Sequence, residues 1–312
     1  MNNLKKIGLT ALAGSLVATS VFAGELTATG AASIGVSNIT GSNDQSNGNN
    51  WSMGNSVTLA GSGELDNGMT VSMSMELDAG AEDTGGPFDS QSITVSSDTL
   101  GTLVFAGHGG SSAQSAMDTT AAGDIWNNGL GITGPTAAVA GDNSLFYTLP
   151  AMMDGVAITA SMSPGRAAQE THTSFGIAYT GVESLTVKYA VGDSGAPTDV
   201  VESTSMYASY AIGSFTVAVS NTEADNTNIT TANREVDSYQ IAYTVSDDVS
   251  LTYGSETFDL TGNAVDEEVE AFGLSYTSGG MTLTANTYEG KGAANAATAK
   301  TERWALGLSF AF

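Results

Sequence analysis

From residue 26 onward apolar and polar side chains alternate with a period of two, the signature of extended segments with one face turned away from water. Leu26, Ala28, Gly30, Ala32, Ile34 and Val36 share one face, opposite Thr27, Thr29, Ala31, Ser33, Gly35 and Ser37. A tract of Asn, Gly and Ser, 38–50, reads as a loop. Two further alternating runs, 56–65 and 69–77, flank Asp66-Asn67-Gly68, a tight-turn signal between strands. The same unit recurs, with short turns near 97–101, 150–155, 181–184, 212–214, 246–248 and 278–280 and longer polar loops between them. An aromatic precedes most of these turns: Tyr147, Tyr179, Tyr210, Tyr243, Tyr276 and Phe310 recur roughly every 33 residues. Gly273-Leu274-Ser275-Tyr276 is echoed by Gly307-Leu308-Ser309-Phe310.

The stretch 301–312 carries the pattern to an extreme. Trp304, Leu306, Leu308, Phe310 and Phe312 fall on one face, with Arg303, Ala305, Gly307, Ser309 and Ala311 on the other. Such a row needs a cover, and lipid supplies one. No segment beyond the first residues approaches 18 continuous apolar residues, so crossing a bilayer falls to strands, which must close into a barrel to satisfy their backbone groups. A period near 33 also occurs in solenoids and propellers, but each period here holds two strands, one short turn and one longer loop, the hairpin unit of a membrane barrel. Sixteen strands are counted, an even number in the range that leaves a water-filled lumen.

Composition supports a hollow interior. With 38 Gly, 5 Pro and sparse large apolar residues, the chain is poorly supplied to fill a core. A formal charge of −25 argues against nucleic acid as a partner, and the absence of cysteine excludes disulfides and thiolate metal sites. Lys5 and Lys6, the apolar run 7–18 and Val21-Phe22-Ala23 predict an export signal over 1–23, too short to span a bilayer, cleaved after Ala23. Residues 24–312 are then one transmembrane β-barrel domain.

This export signal, the opening strand after Ala23, the alternation of short turns with long loops and the terminal aromatic together resemble the general porins of Gram-negative outer membranes, most closely those of alphaproteobacteria. The resemblance implies an all-β, 16-stranded antiparallel transmembrane barrel with short periplasmic turns, long outer loops and an inward-folded third loop. It further implies residence in the outer membrane after passage through the periplasm, and passive diffusion of small hydrophilic solutes and ions. As partners it implies outer-membrane lipid and lipopolysaccharide, two further copies in a homotrimer and the barrel-assembly machinery. Trp304, Phe310 and Phe312 become the assembly signal and the strand that closes the barrel on the one beginning near Glu25.

One connection breaks the rhythm. Residues 109–142 form a loop of more than thirty residues containing Met117, Asp118, Asp124, Ile125 and Trp126, which reads as functional or as a disordered surface loop. Its ordinal place is that of the pore-narrowing loop in the resembling family. If the bulky apolar face meets lipid, strand parity sends Glu64, Glu76, His108, His172, Lys188, Glu256 and Arg303 into the lumen. Counting residues from the short turns puts Lys188 near mid-barrel and Glu76, Glu256 and Arg303 near the outer mouth. The expected constriction sets Asp118 and Asp124 against Lys188, with His108 nearby. It lacks the arginine cluster common in the family, and the acidic total predicts a preference for cations.

No nucleophile, metalloprotease or phosphate-binding motif is present, and the two histidines, His108 and His172, are far apart, so an enzyme is not expected and no cofactor is implied. Asp266, Glu267, Glu268 and Glu270 cluster in one connection and are weak candidates for calcium, though without EF-hand spacing. The competing functional class is a surface adhesin or binding barrel with no open channel.

Overall fold

The computed structural model describes residues 26–41, 49–78, 88–114, 120–134, 141–165, 170–196, 199–226 and 233–312. The expected export signal 1–23, Met117 and Asp118 lie outside the described residues.

Sixteen strands follow one another: β1 (Leu26–Gly41), β2 (Asn50–Glu64), β3 (Thr70–Asp78), β4 (Ser90–Ser97), β5 (Gly101–His108), β6 (Ser144–Thr148), β7 (Val156–Ser163) and β8 (His172–Tyr179). They continue as β9 (Leu185–Ala196), β10 (Asp199–Ile212), β11 (Phe215–Asn226), β12 (Arg234–Ser246), β13 (Val249–Leu260), β14 (Glu267–Ser278), β15 (Met281–Gly292) and β16 (Ala296–Ala311). Each is antiparallel to its sequence neighbours, and β1 pairs with β16 to close the ring. In that closing ladder Ile34 stands opposite Leu308, and Gly30 and Phe312 exchange backbone hydrogen bonds of 2.7 and 2.9 Å. Every inter-strand N–H and C=O thus has a neighbour on both sides, which lets a sheet sit in hydrocarbon.

The short turns lie where the sequence signals put them. At the first, Met69 N donates to the Asn67 side-chain oxygen (3.1 Å) and Leu65 N to Met69 O (2.7 Å), an Asx-stabilised reversal. The first outer loop is shorter than the polar tract 38–50 suggested. β1 runs on to Gly41 because Asn38 and Thr40 keep register opposite Trp304 and Glu302, and β2 begins at Asn50. Backbone pairing overrides side-chain polarity at these ends.

Large apolar side chains point outward and stay exposed, among them Ile34, Met73, Phe175, Ile177, Tyr243, Leu274, Leu306 and Phe310. The tyrosines that precede the short turns share this outward parity and mark a girdle at the periplasmic rim, where an amphipathic ring suits the boundary between lipid and water. The main cluster of buried apolar residues lies inside the barrel. Val236, Phe258, Val269 and Ala271 of the wall meet Ala122, Ile125, Leu130 and Ile132 of the connection between β5 and β6. That connection is folded inward.

Candidate functional site

The feet of the long loop are tied together at the mouth of the β5–β6 hairpin. His108 Nδ1 lies 2.6 Å from Asp142 Oδ1, Gly110 N donates to Gly141 O (3.2 Å), and Ser144 Oγ donates to the same carbonyl (2.9 Å). From there the chain enters the lumen and runs around the inner wall on a series of serines. Ala113 N donates to Ser161 Oγ of β7 (2.9 Å), and Gln114 N to Ser174 Oγ of β8 (3.2 Å). The Gln114 side chain reaches Ser205 Oγ of β10 (2.9 Å). Further round, Ala121 N donates to Ser220 Oγ of β11 (2.7 Å) and Ala122 N to Ser238 Oγ of β12 (2.9 Å). A loop laid on a wall must find partners for its backbone N–H groups, and inward serines supply an acceptor without filling the space the loop needs.

At β13 a carboxylate takes over. Glu256 is fully buried and accepts the Ile125 N–H (3.2 Å), the Trp126 N–H (2.9 Å) and the Thr120 hydroxyl. A buried carboxylate is tolerated only with several donors aimed at it, and here all three come from the loop. Beyond it Arg303 Nη1 of β16 donates to the Asn128 carbonyl (2.9 Å). Underneath, Ala122 and Leu130 seat at Gly254 and Gly290. A Cβ at those glycines would come within 2.7 Å of Ala122 Cβ and 2.9 Å of Leu130 Cβ, so the wall has to be bare there. Burial of Ile125, Leu130 and Ile132 contributes roughly 4.5–9 kcal/mol to docking, at about 1.5–3 kcal/mol per large apolar side chain.

Parity is observed as expected: Glu64, Glu76, His108, His172, Lys188, Glu256 and Arg303 all stand on inward-facing positions. Their roles divide differently from what height alone predicted. Glu256 is not an outer-mouth charge, because the loop covers it, and Arg303 is likewise engaged by the loop. His108 sits at the loop's foot with Asp142. Asp124 adopts a left-handed φ of 55°, and its carboxylate turns back to accept the Thr120 N–H (3.2 Å), beside β13. Lys188 lies on β9 with its ammonium 4.9 Å from the centre of the Tyr207 ring, and no described acid lies within ion-pairing distance of it. Asp124 and Lys188 thus each have a different neighbour, Thr120 for the one and Tyr207 for the other.

Glu76 accepts the Ser90 hydroxyl (3.4 Å), and Glu64 is exposed at the periplasmic end of β2. His172 is buried, with Nδ1 3.0 Å from Asp193. The calcium candidates do not converge. β14 starts at Glu267, so alternation turns Glu267 inward, 3.9 Å from Arg234, while Glu268 and Glu270 face outward and Asp266 stays in the connection. Among the described residues no group of three or more His, Asp or Glu side chains converges as a metal site.

Two walls of the lumen now differ. Behind the loop, inward residues of the outer half are buried, including Ser203, Thr222, Val236, Ser238, Phe258 and Val269. On β1–β4 no inward-facing residue is buried. Among the described residues, β1–β4 are thus the wall where the loop leaves no inward side chain buried. The inward positions of that wall are Ser, Thr, Gly and Ala with Ile39, Asn50, Glu64, Glu76 and Asp78, and the sequence has no Lys or Arg between Lys6 and Arg166.

The family profile of Gram-negative porins matches residues 8–312. Among solved structures the fold is similar to an anion-selective porin from Comamonas acidovorans (TM-score 0.65, 13% identity, covering 92% of this chain and 99% of that one). It is similar also to OmpT of Vibrio cholerae lacking loop L8 (0.70, 15%, 93% and 99%) and to a trimer form of OmpT (0.67, 14%, 93% and 100%). No curated protein matches in sequence.

Proposed function

This chain belongs to the Gram-negative porin family, and from that premise we propose that it is a cation-preferring channel through which small hydrophilic solutes and ions diffuse passively across the outer membrane. The observation that carries the reading is the contrast between the walls: the loop is pinned to one side, and the wall left in contact with water holds carboxylates and no base. A passage with fixed charge of one sign concentrates counter-ions and depletes co-ions. The lumenal cations favour the same sign of preference. Arg303 is engaged by the loop and Arg234 lies beside Glu267, which leaves Lys188, over a tyrosine ring, as the described lumenal cation without an acidic or carbonyl partner.

The protein resides in the outer membrane, and its family is one of channels rather than enzymes. Assembly as a homotrimer is supported by the trimer form of the similar OmpT and by the outward face of β1–β5. That face carries Ala28, Gly30, Ala32, Met73 and Met75 but none of the tyrosines found around the rest of the rim, as suits a sector covered by protein rather than by lipid headgroups. Reversal potentials across a planar bilayer with a salt gradient test the channel reading: cation preference is expected, and anion preference would overturn it.

A further inference from the structure

Where the long loop leaves β5 it closes over a hollow of about 320 Å³ on the lumenal side of β4–β6. Val104 of β5 and Phe146 of β6 stand opposite one another in register and form its floor. Both are apolar and inward-facing, yet neither is buried, unlike Val236, Phe258 and Val269 beneath the docked loop. Gly109 and Gly110 complete the lining on the loop side. A Cβ on Gly110 would collide with Ser144 Oγ, and one on Gly109 would lie 2.9 Å from Ser90 Cβ, so the chain can pass this close to the wall only as glycine.

The polar groups around the floor share one property. Ser90 Oγ donates to Glu76 (3.4 Å), Ser111 Oγ to the Ser112 carbonyl (3.3 Å) and His108 Nδ1 to Asp142 (2.6 Å). Ionised carboxylates and carbonyls only accept, so in each pair the proton belongs to the lining residue. What remains on these three is acceptor capacity, on the hydroxyl oxygens and on Nε2 of the neutral imidazole. Ser144 Oγ is committed in the same way, to the Gly141 carbonyl. No Lys or Arg on β1–β7 offers these acceptors a donor.

We propose that this hollow is a solute subsite of the pore and that it takes organic ammonium ions carrying an apolar ring, with the ring on Phe146 and Val104 and the N–H groups on the acceptors around them. The inference rests on the channel reading and adds to it a site and the class of solute held there. A ring seated in the hollow removes the exposed surfaces of Phe146 and Val104 from water. Its ammonium gains the acceptors, the attraction of an aromatic face for a cation, and the charges of Glu76 and Asp142 behind Ser90 and His108. An anion of the same shape meets lone pairs and no donor. A small ammonium ion without a ring finds the acceptors but leaves the floor wet.

Single-channel current through the full barrel in a planar bilayer tests this, with benzylammonium, benzoate and methylammonium added in turn to potassium chloride. Benzylammonium is expected to cause reversible, stepwise reductions of current that last several-fold longer than any caused by the other two. Phe146→Ala should shorten those events roughly three- to tenfold, the worth of one aromatic contact to a cation. Ser92→Leu, which fills the hollow from β4, should abolish them. Each variant is read against its own open-channel current, which also reports that the barrel has assembled. If Phe146→Ala forms no channels, Val104→Ser takes its place, and the comparison of the three solutes on the parent protein needs no variant at all. Events of equal length for the three solutes, or events unaltered by removing the floor, overturn the inference and leave the channel reading intact. Absence of any open-channel current in the parent protein overturns the channel reading itself.

Discussion

On β11 and β12, Ser220 and Ser238 give their oxygens to backbone N–H groups of the long loop; on β3 and β4, Ser74 and Ser92 hold equivalent inward positions and remain partly exposed. The residue type is the same and the surroundings are not. What separates the two walls is the layer below: Val236, Phe258 and Val269 make the outer half of β12–β14 apolar on its inner face, whereas the inward positions of β2–β4 carry no large apolar side chain there, only Ser, Thr, Asn, Gly, Ala and carboxylates. An inward serine is thus a structural acceptor where apolar neighbours draw the loop down, and a pore-lining group where they do not. Pore shape follows from the distribution of a few lumenal apolar side chains more than from that of the charges.

That contrast can be broken most forcefully at Glu256. Glu256→Leu leaves the Ile125 and Trp126 N–H groups and the Thr120 hydroxyl without their acceptor, and is expected to destabilise the docked loop on the order of 3–5 kcal/mol. The covered wall would then come to resemble the open one, and single-channel conductance should rise several-fold; conductance equal to the parent's would mean that the loop is held elsewhere. Leu130→Ala removes the side chain seated at Gly290 and should cost about 2–4 kcal/mol, read as a lower midpoint in chemical unfolding and as noisier open-channel current. Ser238→Ala deletes one acceptor for Ala122 N and should cost about 1 kcal/mol by the same unfolding assay. Ser74→Ala, its counterpart on the open wall, should change stability by no more than about 0.5 kcal/mol. If the two serine substitutions cost the same, the distinction between the walls has no energetic content.

The barrel itself was legible in the sequence because alternation, turn chemistry and the spacing of aromatics are local signals that all specify the same architecture. Parity also placed seven charged or titratable side chains in the lumen without error of face. The path of the loop was not legible from charges. Glu256 reads as a mouth residue by height, and nothing in its own strand position says that three donors will cover it. A signal was nevertheless present: Val236, Phe258 and Val269 are apolar at inward positions of three consecutive strands, where a water-filled lumen gives no reason for them. Asp124 misled because an aspartate beside a glycine serves local turn geometry as readily as it faces a pore. The run 266–270 misled because a strand turns adjacent carboxylates to opposite faces.

The closing ladder has a consequence for how such a molecule comes into being. Every other ladder joins strands that are consecutive along the chain and can zip as hairpins, each paying a small loop-closure entropy. The joint between β1 and β16 alone must bring together the two ends of the finished sheet. Until it does, the sheet has two open edges whose backbone groups are unpaired, a state that hydrocarbon does not tolerate and that invites pairing with a second chain. Folding is therefore gradual along fifteen joints and abrupt at the sixteenth, and the hazard of misassembly is concentrated in the interval before that last joint forms.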